Sequence, residues 1–208
     1  MYIPKHFEET DPSILKGLMR QFSFALLVTA RKGEPIGTHI PMYVSDNVHD
    51  DRLLGHLARA NSHWRDFDGR KQAMAVFQGP HSYVSPNWYL SGGLPPTWNY
   101  ATVHAYGRPR VLEDVEEIIS VLSKLTRHNE TDLTGNWEIG KLSESNLTAQ
   151  LRRIVVFEML IERLEGKFKM SQNRKAADAQ GAANGLRTTR NSNADSVALE
   201  IENRLQGR

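Results

Sequence analysis

Six short runs of strand-forming residues, divided by turns and short helical segments, narrow the fold of this 208-residue chain more than any other feature. Residues 22–29 are apolar and end in the β-branched pair Val28 and Thr29. Lys32-Gly33 reads as a turn and 36–44 as a returning strand, so the two runs form a hairpin. After the polar loop 45–51 come strands at 52–58 and 72–78, one long strand or two over 98–112, and a last strong strand at 153–164. Helices fall at the margins. Asp11-Pro12 starts one carrying Ile14, Leu15, Leu18 and Met19 on one face. Asn61 caps a short helix to Phe67, Asp114 caps an amphipathic helix, and Ser143 starts another that ends at Leu151. No Gly-x-Gly-x-x-Gly follows a strand and no P-loop occurs. The expectation is a mainly β fold with peripheral helices, a barrel in place of a parallel sheet.

Composition removes several classes of function. Without cysteine there are no disulfides, thiolate metal sites or cysteine nucleophiles. No His, Asp or Glu spacing suits a metal either, so none is expected. The net charge of +2 is too small for a molecule-wide field that gathers nucleic acid, so any basic site is local. The polar amino terminus lacks a signal-peptide core, and no apolar run approaches the roughly 20 residues of a membrane span. A cytoplasmic protein with no membrane partner is expected.

Two segments stand apart. Residues 79–96 hold four of the nine prolines and three glycines, and read as a long irregular segment of the kind that often carries function. After Lys175, residues 176–194 contain only one large aliphatic residue, Leu186, and read as weak helix or mobile linker. Asp195 then starts a helical pattern with Val197, Leu199, Ile201 and Leu205, an apolar side that needs a partner such as a second subunit. The expected division is a domain over 1–174 and a helical extension over 175–208.

Six of the eight histidines lie between His39 and His104, among Arg59, Asn61, Ser62, Trp64, Tyr83, Trp88, Trp98 and Tyr100. Arg59, Asn61 and Ser62 sit where the third strand becomes a helix, and free N–H groups at a helix start favour an anion. The strand from Thr38 to Tyr43 can offer its backbone to a flat ring. The same residue types also fill ordinary cores: strand tryptophans and tyrosines are more often core than ligand-binding, His49 and His128 suit plain surface, and Arg65, Arg70 and Lys71 suit a solvated face.

A set of unusual blocks decides between these readings. They are Met1-Tyr2-Ile3-Pro4-Lys5-His6-Phe7, Thr38-His39-Ile40-Pro41, Gly55-His56-Leu57-Ala58-Arg59-Ala60-Asn61, His63-Trp64 and Phe77-Gln78-Gly79-Pro80-His81-Ser82-Tyr83-Val84-Ser85-Pro86. Trp88-Tyr89, Pro96-Thr97-Trp98-Asn99-Tyr100, Val103-His104, Phe157-Glu158, Glu165-Gly166-Lys167 and Ser171-Gln172-Asn173-Arg174 continue the order. In this order they resemble the PaiB family of FMN-binding negative transcriptional regulators, from residue 1 to about 174. The resemblance implies an FMN-binding split β-barrel, Greek-key-like, working as a homodimer with the flavin at the subunit interface.

By that analogy Thr38, His39, Ile40 and Pro41 line the flavin ring. Arg59, Asn61 and His63 hold the phosphate, with His56, Leu57, Ala58 and Ser62 in the same block. Gln172, Asn173 and Arg174 of the partner chain close the site. The family's repressor role, in control of sporulation and degradative enzyme genes, would make DNA a partner. The sequence lends this little: no helix-turn-helix with a basic recognition helix occurs, and 175–208 holds five Lys or Arg against four Asp or Glu. A flavin-dependent oxidoreductase or haem-handling split-barrel enzyme is the alternative that uses the same pocket, and an FMN-binding dimer without chemistry is the third reading.

Overall fold

The computed structural model describes residues 1–45, 47 and 49–207. Asp46 and Val48 of the expected 45–51 loop, and Arg208 at the end of the expected extension, lie outside them. The elements are β1 (Glu8–Glu9), α1 (Pro12–Gln21), β2 (Phe24–Arg31), β3 (Glu34–Val44), β4 (Arg52–Ala58), β5 (Ala73–Val84), β6 (Thr97–Val111), α2 (Val115–Asn129), α3 (Glu144–Leu151), β7 (Ile154–Lys169), α4 (Ala176–Thr188) and α5 (Ser192–Gln206). The strands order as β1-β7-β4-β3-β2-β5-β6, with a further pairing of β7 to β6. β2, β3 and β4 follow one another as antiparallel neighbours and β5 returns beside β2, which is a Greek key. The β6–β7 pairing closes the ring as a barrel. No described helix is long and apolar enough to cross a membrane.

The chain divides into two compact units. One comprises Met19–Phe77 and His104–Leu164. Its β2–β3 register runs from Phe24 opposite Pro41 to Arg31 opposite Glu34, closed by Lys32 and Gly33 with positive φ of 53° and 87°. Alternation along the strands sends Ala25, Leu27, Ile40 and Met42 inward. α2 covers part of this barrel. Asp114 accepts a hydrogen bond from the Glu117 N–H at its start, and Val121 and Leu125 bury against Leu54, Leu112 and Val156.

The other unit comprises Met1–Leu18, Gln78–Val103 and the described part of 165–208. The expected boundary after Arg174 falls inside it. Three readings need correction here. First, the strand expected to stop at 78 continues through Gly79-Pro80 to Val84. Gly79 permits this, since a Cβ there would sit 3.2 Å from the Ala101 carbonyl oxygen. Second, the final strand passes residue 164 and ends at Lys169, because Glu8 and Glu9 pair with Lys167 and Gly166 and extend the ladder.

Third, the segment expected as weak helix or linker is the ordered helix α4, with Ala179, Ala182, Ala183 and Leu186 fully buried. Its small residues are a packing requirement, since a Cβ at Gly185 would run into the Trp88 indole and one at Gly181 into the Trp88 backbone. α5 begins at Ser192 with Asn191 as its cap, earlier than Asp195. Its Val197 and Ile201 are buried within this chain, while Leu199 is exposed.

Candidate functional site

The barrel unit brings Thr38, Asn61 and His63 into one hydrogen-bonded cluster. Thr38 lies on β3, and Asn61 and His63 on the turn of 3-10 helix that follows β4 (Ser62–Asp66). The Asn61 side chain caps that turn by accepting from the His63 N–H at 3.0 Å. Asn61 Nδ2 donates to Thr38 Oγ1 at 3.2 Å, and Thr38 Oγ1 lies 2.7 Å from His63 Nδ1. The other ring nitrogen, Nε2, lies 2.9 Å from Thr29 Oγ1, which donates to Asp66 Oδ2 at 3.1 Å. Arg31 grips both oxygens of Asp66 at 3.0 Å and donates to the Ser62 carbonyl at 2.9 Å. Burial acts to raise the Asp66 carboxyl, but its bonds to Arg31 and Thr29 and the charges of Arg31 and Lys71 outweigh that and hold it below the ordinary value.

The other expected site residues are placed as follows. His39 and Pro41 alternate with Thr38 and Ile40, so the block Thr38-His39-Ile40-Pro41 divides between the two faces of the sheet. Ile40 is buried, whereas His39 is exposed and stacks on Phe24 at 6.0 Å. Leu57 is core, and Ala58 and Ser62 are exposed. His56 is half-buried, with an Nδ1 that finds no hydrogen-bond partner among the described residues. Arg59 donates from Nε to the Arg152 carbonyl at 3.0 Å and from Nη2 to the Ile154 carbonyl at 2.8 Å. Among the described residues its Nη1 is left as the free end of the group.

Gln172, Asn173 and Arg174 belong to the other unit. Gln172 accepts from the Met170 N–H at 2.6 Å and donates to the Phe168 carbonyl, which ties the turn after β7. Ser171 there adopts a positive φ of 62°. Arg174 lies over the Tyr89 ring at 5.3 Å, and Asn173 is exposed. In the same unit Lys169 donates to Thr97. Burial, with Lys167 and Arg174 nearby, pushes its ammonium below the ordinary lysine value. Thr29, Arg31 and Asp66 escaped the sequence reading. The one local signal for Asp66 is its place directly after His63-Trp64-Arg65 at the end of the capped turn.

The histidines make a pH prediction. Burial pulls His56 and His104 below the ordinary 6.5. Burial also lowers His63, opposed by the Asp66 charge and assisted by Arg31. The unfolded chain therefore takes up protons that the folded chain refuses as pH falls below about 6.5. Their contribution to stability is complete above that pH and is lost beneath it. Asp66 does not add to this window, since its carboxyl is held below the ordinary 3.8 and the stability it contributes is lost only as pH falls under that value. Urea midpoints are expected to be lower at pH 5.5 than at pH 7.5, and a midpoint that stays level or rises contradicts the assignment of neutral buried rings.

Comparison with known proteins bears on this arrangement. A family model described as "Putative FMN-binding domain" matches residues 1–163. The "Protease synthase and sporulation protein PAI 2" of Bacillus subtilis is 36% identical over 211 residues, covering 99% of each chain. Among solved structures, the FAD and heme binding protein from Mycobacterium smegmatis superposes with a TM-score of 0.61 at 15% identity, over 78% of this chain and 73% of that one. The flavocytochrome Anf3 from Azotobacter vinelandii gives 0.59 at 14% identity, over 80% and 72%. At such identities the likeness establishes the fold.

Proposed function

This chain belongs to the PaiB family of FMN-binding domains, and from that membership we propose that it is a flavoprotein that holds FMN as a homodimer and acts as a PaiB-type regulator. The observation that carries the reading is the 36% identity with the Bacillus subtilis sporulation protein along 99% of both chains, which takes in barrel and tail together. The residues present fit the cofactor. A phosphate asks for charge-assisted and neutral donors, and the Arg59 Nη1, the Ser62 hydroxyl and an Asn61 amide hydrogen meet that need at one strand-to-helix junction. The unpartnered His56 Nδ1 is the kind of buried polar atom a bound molecule satisfies. When bound, the flavin supplies electron or hydride transfer, or a ligand signal. The protein's part is to bind and orient: Thr38 and Ile40 with the β3 backbone bed the ring, and Gln172, Asn173 and Arg174 of the partner chain close it.

A mixing experiment tests the shared site. Arg59→Ala and Arg174→Ala each remove a charged donor and are expected to weaken FMN binding by about 1.5–3 kcal/mol. If the site draws on both chains, a co-refolded heterodimer holds one site with both defects and one with neither, and tight binding returns in one of its two sites. If both residues serve the same chain's site, no tight binding returns and the shared arrangement falls. The regulatory half of the reading requires salt-sensitive binding to promoter DNA that random DNA does not reproduce.

A further inference from the structure

We propose that Thr29 and Asp66 are positioning residues of the Thr38–Asn61–His63 cluster, fixing which ring nitrogen of His63 carries its proton and so which donors the cluster has to offer. The inference rests on the phosphate-site reading above, and it begins with one hydrogen. The Thr29 hydroxyl has a single proton and two neighbours, Asp66 Oδ2 at 3.1 Å and His63 Nε2 at 2.9 Å. Asp66, clamped by Arg31 and within 3.8 Å of the Lys71 ammonium, is a carboxylate and can only accept. The Thr29 proton therefore points to Asp66. The oxygen of Thr29 can then meet Nε2 only as an acceptor, so Nε2 carries the ring proton.

The rest of the chain follows in order. A neutral ring protonated on Nε2 has its lone pair on Nδ1, and Thr38 Oγ1 at 2.7 Å must donate to it. With its own hydrogen committed, Thr38 accepts from Asn61 Nδ2 at 3.2 Å. The Asn61 carbonyl oxygen is held by the His63 N–H, which fixes the amide plane. One Asn61 Nδ2 hydrogen is then the donor not used within the cluster. The opposite tautomer would make Thr38 an acceptor from both neighbours and release its hydroxyl to turn elsewhere. A buried carboxylate thus sets, across three hydrogen bonds, whether the Thr38 hydroxyl is held by His63 or left to turn, and so how firmly the Asn61 amide that donates to it is held.

The test reads the ring directly. In ligand-free wild type, nitrogen-detected NMR is expected to find His63 protonated on Nε2. Thr29→Val keeps the shape and removes the acceptor, so the ring is expected to move to a mixture of tautomers and FMN to bind about 5- to 10-fold more weakly. Thr29→Ser restores the hydroxyl and is expected to recover both, which separates the relay from a packing effect. A wild-type ring protonated on Nδ1 overturns the proposal. So does a Thr29→Val protein that keeps wild-type affinity while its tautomer shifts. A wild type with the Nε2 proton that takes up no FMN supports the relay and defeats the flavin reading, so the two failures are distinct.

Discussion

Gly107→Ala is expected to destabilise the fold by about 3 kcal/mol or more, a large share of the roughly 5–15 kcal/mol that keeps a protein of ordinary stability folded. Gly107 lies on β6 where that strand meets β7. A Cβ there would fall on the Leu160 carbonyl oxygen and 2.8 Å from Met159 Cγ. The methionine side chain can turn aside, but the carbonyl is backbone within the ladder and can yield only if the strands part. The β6–β7 pairing is the contact that closes the ring of strands. Gly17→Ala is the control. Its Cβ would meet nothing within 4 Å, in the middle of α1, and losing a helical glycine is expected to stabilise by roughly 0.5–1 kcal/mol. Urea titration of both variants checks the pair, and a Gly107→Ala midpoint close to wild type would refute the closed barrel.

The elements legible in the sequence were those specified by their own residues. Strand 52–58 is found residue for residue, since Arg52 and Ala58 bound a run whose Leu53, Leu54 and Leu57 are buried. Asp114, Ser143 and Asn61 cap as expected, because a cap is a contact across two or three residues. α4 was legible only as weak helix or linker, because alanine and glycine carry almost no apolar stripe. What that segment packs against is the indole of Trp88, a residue far away in sequence that only a small-residue face can approach.

The candidate site divides in the same way. Asn61 and His63 are neighbours in sequence and were found together. Thr29, which joins His63 to Asp66, sits 34 positions from the first and 37 from the second, and nothing local marks either pairing. Arg59 was expected purely as a phosphate ligand, and two of its nitrogens prove to be committed to backbone carbonyls, which leaves Nη1 for that role. The apolar side of α5 was legible as a face that must be covered. The cover within this chain was not, since it depends on α4.

The central claim, that the donors around Asn61 hold the phosphate of a bound flavin, is tested most directly by comparing FMN with riboflavin, the same ring without the phosphate. Fluorescence titration of the ligand-free protein should give one ring-binding site per chain and a preference for FMN. Two or more charge-assisted bonds to the phosphate, each about 1.5–3 kcal/mol, translate into FMN binding about 10²–10⁴-fold more tightly. Arg59→Ala is expected to shrink that ratio while leaving riboflavin affinity near its wild-type value. Equal affinities for FMN and riboflavin in the wild type, or a ratio that Arg59→Ala leaves unchanged, would contradict a phosphate site at this junction.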